Sequence, residues 1–113
     1  MIEIRAYIDE SGNKRFARWL DGLDAAAAAK VTIALARMEH GNFSRVRGVG
    51  LGVFEYRIDF GPGFRIYFGK DGDNLVILVG GGAKKRQRQD IAAAHECWAA
   101  YKRRKKREIQ ECL

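Results

Sequence analysis

The chain has 113 residues, 47% of them hydrophobic and 31% charged, which suits one domain with a single core and is too apolar for a disordered chain of this charge. That length excludes a large multidomain enzyme. The formal net charge of +7 is unevenly spread. Lys84 to Arg107 holds ten basic and two acidic residues, a net +8 that leaves −1 for all the rest. Such clustering points to a polyanionic partner, or to a solvated helix face.

The longest apolar runs, such as Leu75 to Val79, fall far short of the roughly 20 residues that span a bilayer, and the N-terminus does not read as a signal peptide. With only Cys97 and Cys112 in the chain, a disulfide framework is ruled out. The expectation is a cytoplasmic protein with free thiols and no membrane partner. His40 and His95 supply too few ligands for a metal site, so no metal or other cofactor is expected.

In chain order, the alternation of Ile2, Ile4, Ala6 and Ile8 predicts a strand. Ser11 is placed to cap a helix carrying Phe16, Trp19, Leu20 and Leu23, ended by Gly22. Asp24 caps a second helix, driven by the alanine run from Ala25 and by a stripe of Ala28, Val31, Leu35 and Met38, with Gly41 as C-cap. Residues 43–52, glycine-rich and carrying Arg45 and Arg47, read as a mobile loop.

Two strands follow. Phe54, Tyr56, Ile58 and Phe60 share one face, as do Phe64, Ile66 and Phe68. A three-residue loop, Gly61-Pro62-Gly63, would pair Phe60 with Phe64, set Asp59 opposite Arg65 and Arg57 opposite Tyr67, and leave the two arginines diagonal neighbours. Leu75 to Val79 predicts a central strand covered on both faces, with Gly80 to Gly82 ending it. A helix from about Lys84 packs through Ile91, Ala94, Trp98 and Tyr101. The expected architecture is α+β: one domain over residues 1–113, with two N-terminal helices on the apolar face of a mostly antiparallel four-stranded sheet and a basic C-terminal helix and tail from about residue 84. The polar sheet face is left free for a ligand.

That face carries the chemistry. Arg57, Arg65 and Tyr67 project from neighbouring strands, with Lys84, Lys85 and Arg86 just beyond the next strand and Arg88 on the helix that follows. Arginine forks bind phosphate oxygens in pairs of contacts and stay charged, so they suit a phosphorane's extra negative charge. RNA brings its own nucleophile, the ribose 2′-hydroxyl, so cleavage needs placement, a proton acceptor and a donor. Candidates for acid and base are Tyr67, Glu55, Asp59, Lys84 and Lys85. The same residues also read as plain cross-strand pairs, Asp59 with Arg65 and Tyr67 with Arg57, each worth under about 1 kcal/mol.

The stretch GVGLGVFEYRIDFGPGFRIYF, followed by VILVGGGAKKRQRQDIAAA and a tryptophan-bearing helix, resembles the RelE/ParE superfamily of bacterial toxins, nearest its HigB-like addiction module killer branch. The resemblance spans nearly the whole chain and implies a small RelE-like fold. It also implies a type II toxin that cuts mRNA in the ribosomal A site, with a cognate helix-turn-helix antitoxin through which alone it would meet operator DNA. Carried over by position, Arg57 and Arg65 match the strand residues associated with phosphate stabilisation, Lys84, Lys85 and Arg86 the basic cluster after the last strand, and Tyr67 a weaker counterpart. The catalytic candidates are then Arg57, Arg65, Tyr67 and Lys84, and the basic residues Arg45, Arg47, Lys85, Arg86 and Arg88 are the RNA-binding candidates. Asp59, and Asp90 or Ile91, stand where RelE proper has a strand lysine and a C-terminal tyrosine, which leaves the acid and base open. A ParE-like gyrase inhibitor and an inactive homologue that only binds its antitoxin or nucleic acid are the alternatives.

Overall fold

The computed structural model describes residues 1–112. It contains five strands, β1 (Glu3–Ala6), β2 (Val46–Gly48), β3 (Val53–Ile58), β4 (Phe64–Lys70) and β5 (Leu75–Ala83). The helices are α1 (Arg15–Asp21), α2 (Ala25–Glu39) and α3 (Gln87–Cys112), with a 3-10 turn at Lys84–Arg86. The strands form one mixed sheet in the order β1-β5-β4-β3-β2. β1 runs parallel to β5 and the other neighbours are antiparallel. The class is α+β as expected, but the sheet has a fifth strand: β2 forms inside the segment read as a mobile loop, pairing Arg47 with Glu55. Residue 113, the end of the expected basic tail, lies outside the described residues.

Helix boundaries follow local chemistry. Asp24 does cap α2, its Oδ1 accepting from the Ala27 amide at 2.8 Å. The buried stripe is Ala27, Val31, Ala34 and Met38, so Val31 and Met38 point inward as expected, whereas Ala28 and Leu35 lie to one side. Ser11 does not cap α1. It sits in a loop organised by Asp9, whose side chain accepts from the amides of Ser11 and Asn13, and the helix begins only at Arg15.

The sheet separates two apolar clusters. α1 and α2 cover one face over Tyr56, Ile66, Phe68 and Leu78. α3 covers the other face, with Ala94 and Trp98 packed on Tyr7, Val53, Tyr67 and Val79. The expectation of a free polar face is therefore wrong over its centre. Ile91, Ala94, Trp98 and Tyr101 are the packing stripe of α3 as predicted, and their partner is that face.

Glycine makes both coverings close. A Cβ on Gly69 would stand 2.5 Å from ring atoms of Trp98, and one on Gly81 would stand 2.6 Å from Trp19 Cδ2. Each tryptophan lies on bare backbone. Gly80 to Gly82 consequently belong to β5 and do not end it. The register shift between Tyr67 and Phe68 leaves Val79 unpaired, and such a bulge resets which glycine faces which helix.

Candidate functional site

The hairpin register brings the two arginines closer than expected. Ile58 pairs with Phe64, Arg57 with Arg65 and Glu55 with Tyr67, so neither predicted pair, Asp59 with Arg65 or Arg57 with Tyr67, is formed. The loop is five residues long, closed by Gly63 N–H donating to Phe60 O at 2.9 Å, with Gly61 and Gly63 both at positive φ. Sliding the pairing by two residues keeps every side chain on its face, so hydrophobic alternation alone cannot distinguish the two registers.

Arg57 is exposed, whereas Arg65 is only 6% exposed. Both border a cavity of about 420 Å³ at the open end of the hairpin, completed by Asp59, the 60–63 turn and Lys84. The Lys84 amide donates to Gly63 O at 2.9 Å, which fixes the start of the 3-10 turn against the hairpin. Arg57, Arg65 and Lys84 are thus brought together. Asp59 is shared at the rim, with Arg45 Nη1 donating to Oδ2 at 3.1 Å and Arg57 Nε 3.9 Å from Oδ1.

Behind the cavity lies a buried polar row. Glu55, 1% exposed, accepts from Arg47 Nε at 3.0 Å and from Gln87 Nε2 at 2.8 Å, while Arg65 Nε stands 3.9 Å away. Glu55 therefore balances Arg47 and Arg65 together, and with Arg57 and Lys84 near the cavity the local charge stays positive. Arg65 Nε, Tyr67 Oη and Asp90 Oδ2 are buried without a hydrogen-bond partner among the described residues.

Tyr67 does not reach the cavity. It is fully buried under α3, and burial first, then the charges of Glu55 and Asp90, push its phenol well above the ordinary tyrosine value. Its placement fits a floor for Arg65 rather than a proton carrier. Arg45 and Arg47 sit on or beside edge strand β2, and Lys85, Arg86 and Arg88 are exposed around the start of α3. These five ring the cavity end of the molecule without lining the cavity itself. His95 is occupied structurally: its Nε2 bonds Val49 O at 2.9 Å and holds the β2–β3 turn to α3.

Gln87 was not singled out for this site by sequence, and Asp90 was named only as standing near the place of a family tyrosine. Gln87 is lost in a run of polar residues, but Asp90 had a signal in the glycines: a Cβ on Gly82, the cross-strand partner of Arg65, would stand 2.7 Å from Asp90 Cγ. The carboxylate occupies the space that a β5 side chain would fill. Burial raises the pKa of Asp90, against the weaker pull of Arg86 and Arg15.

In class, the molecule is an α+β domain with a cationic cavity where the β3–β4 hairpin meets the entry to α3. No model of a known protein family matches the chain. An uncharacterized protein of Haemophilus influenzae (strain ATCC 51907 / DSM 11121 / KW20 / Rd) is 41% identical over 80 residues, covering 70% of this chain and 81% of that protein. The chain belongs to the same family as that protein.

Proposed function

We propose that this chain is the toxin of a toxin–antitoxin pair, a cytoplasmic RelE-like endoribonuclease that cuts mRNA on the ribosome. One observation carries the reading: Arg57 and Arg65 stand directly opposite on adjacent strands and share a cavity with Lys84. Three cations around a space of about 420 Å³ fit a single phosphodiester with its ribose. The half-sealed Arg65 acts from a region of low dielectric, where its effect on a developing phosphorane is larger than it would be in water.

The chemistry needs little else. The substrate's 2′-hydroxyl attacks the adjacent phosphorus, the 5′-oxygen leaves, and the cavity supplies orientation and charge. Asp59 and Lys84 are the wall groups able to move a proton. The exposed basic residues around the α3 entry hold the flanking backbone. The cognate partner is a helix-turn-helix antitoxin, and operator DNA is met only through it.

The test is induction without antitoxin, with 5′-end mapping of transcripts. Wild type should generate new ends within reading frames. Arg57→Ala should suppress them by about a hundredfold, the scale of removing one oxyanion-stabilising donor. Arg65→Lys tests the second fork without leaving a buried hole. Unchanged cleavage in both variants refutes the site. DNA damage preceding translation arrest, with no new RNA ends, would replace the nuclease with a gyrase inhibitor.

A further inference from the structure

We propose that the groove between α2 and the outer edge of β3 docks an extended segment of a partner protein in which acidic and apolar residues alternate. Only the consequence for the cationic cavity rests on the nuclease reading. The starting point is where β2 stops. The Arg57 amide donates to Arg45 O at 3.1 Å, and next to Arg45 the chain turns away, the Val46 amide bonding Phe43 O at 3.1 Å. Since Arg57 N–H faces β2, Arg57 C=O and both backbone groups of Asp59 face the same side. None of these three makes a backbone hydrogen bond among the described residues, and Arg57 and Asp59 are exposed. A short length of sheet edge therefore stands open in line with β2.

The two faces beside that edge differ in chemistry. On the α2 side, Ile33, Ile58 and Phe60 border a cavity of about 180 Å³, room for about one side chain, with Lys30 and Arg37 at its lip. Ile33 is 46% exposed, one of the few large apolar side chains left in solvent. Lys30 Nζ lies 5.4 Å from the centre of the Phe60 ring, so its charge stands at the groove itself. On the opposite face are Arg45 and Arg57, which alternate with Val46, Tyr56 and Ile58 of the α2-side cluster. The groove thus has four cations against one carboxylate, Asp59. Lys30 and Arg37 form no ion pair among the described residues.

These features select a polypeptide over RNA. Open peptide groups on a sheet edge pair with another backbone, and a strand added there sends alternate side chains to the two faces. Those on the α2 side meet Ile33 and Ile58, which calls for apolar residues; those on the other side meet Arg45 and Arg57, which calls for carboxylates. Lys30 and Arg37 add attraction along the lip. Arg57, Asp59 and Phe60 border both this groove and the cationic cavity. An occupant that engages Arg57 withdraws it from phosphate, so docking inhibits the site.

The experiment measures binding of a labelled decapeptide of alternating glutamate and valine to the full chain by fluorescence anisotropy. Wild type should bind it more tightly than poly-glutamate. N-methylation of the peptide at alternate residues, which leaves the protein untouched, should weaken binding roughly tenfold, the scale of one or two backbone hydrogen bonds. Lys30→Glu with Arg37→Glu should weaken it roughly tenfold at low salt and less as salt rises, and Ile33→Glu should weaken it as well. No binding by wild type, equal binding of the N-methylated peptide, or indifference to the α2 variants would each overturn the proposal. So would a fully 2′-O-methylated oligoribonucleotide that binds with the same dependence on Lys30 and Arg37, which makes the groove an RNA track, or wild-type self-association with that dependence, which makes the occupant a second copy. Failure of the nuclease reading is distinct: the peptide still binds, and induced cells show no new RNA ends for it to suppress.

Discussion

Replacing Gly69 by alanine should cost the fold about 2 kcal/mol, within the range typical of overpacking, and most of that cost should disappear when Trp98 is cut back. An alanine Cβ would stand 2.5 Å from Trp98 Cδ2 and Cζ3, where ordinary van der Waals contact begins at 3.4 Å. Gly69 has no positive φ, so alanine meets no backbone strain, and by conformational entropy alone it would favour the strand. The whole penalty is therefore steric and belongs to the pair. At about 2.1 cal/mol/K of unfolding entropy per residue, a loss of 2 kcal/mol over this chain lowers Tm by roughly 8 °C. The assay is a double-mutant cycle of wild type, Gly69→Ala, Trp98→Leu and the double variant, followed by urea and thermal unfolding. Trp98→Leu alone should cost on the order of 2–4 kcal/mol, and the double variant should be more stable than additivity predicts by about 1–2 kcal/mol. Wild-type stability in Gly69→Ala, or simple additivity, would mean the indole is not seated on Gly69. The covering of the α3 face, and with it the burial of Tyr67, would then be wrong.

Two further outcomes follow from titratable groups held by α3. Asp90 has its folded pKa raised by burial, so its contribution to stability is fully present below the unfolded value near 4 and is lost as pH rises through the folded value. Asp90→Asn should therefore raise Tm at pH 7 and leave it nearly unchanged at pH 3; a variant less stable at pH 7 would show the carboxylate to be a needed ion-pair partner. Asp71 is the opposite case: it accepts from Lys105 and from the Tyr101 hydroxyl, and the Lys105 contact first, then the hydroxyl, hold its pKa below the usual carboxylate value. Its contribution is present above the unfolded value near 4 and fades as pH falls through the depressed folded one. Asp71→Asn should cost roughly 1 kcal/mol at pH 7, reduced from a buried pair by the exposure of Lys105, and the difference should close at pH 2. Burial first, then the Asp71 bond, pushes the Tyr101 phenol up to about 12, so an ultraviolet titration of Asp71→Asn should bring one tyrosine transition part of the way down.

The elements legible in the sequence were those whose burial is set by local periodicity. Asp24 before an alanine run, the alternation from Phe54 to Phe68 and the stripe from Ile91 to Tyr101 each specify one element and one inward face, and all three stand in the structure. What alternation could not show is the partner on the other side. Arg57, Arg65 and Tyr67 read as an open polar face because charged and phenolic groups are usually solvated, yet Glu55 takes up Arg47 and Gln87 and lets α3 close over the centre. The hairpin slip of two residues was invisible for a parity reason. The glycine run at Gly80 to Gly82 looked like punctuation because in sequence a glycine that ends a strand and one that lets a side chain lie on it are the same letter; only Trp19, Asp90 and Arg15 arriving from other elements decide between them.

The covering by α3 also explains why the cationic cavity lies at the end of the sheet. Trp98, lying on Gly69, anchors the helix over the middle of β4, and the Lys84 amide bonded to Gly63 O anchors its entry beside the hairpin. Between these two points the polar face is sealed, so Tyr67 and Glu55 are withdrawn from solvent while Arg65, one pleat nearer the turn, keeps an edge on the cavity. A guanidinium in that position has lost most of its water, and its Nε, without a hydrogen-bond partner among the described residues, stands 3.9 Å from Glu55 Oε1, beyond hydrogen-bond reach. Such a cation is held in place by its surroundings, and under the proposed nuclease reading it is the one that orients the phosphate. The exposed Arg57 stands equally far, 3.9 Å, from its carboxylate Asp59, but in solvent rather than under α3. The two arginines, equal in sequence, are therefore unequal in the cavity by burial: Arg65 is enclosed by the fold, whereas Arg57 stands in solvent.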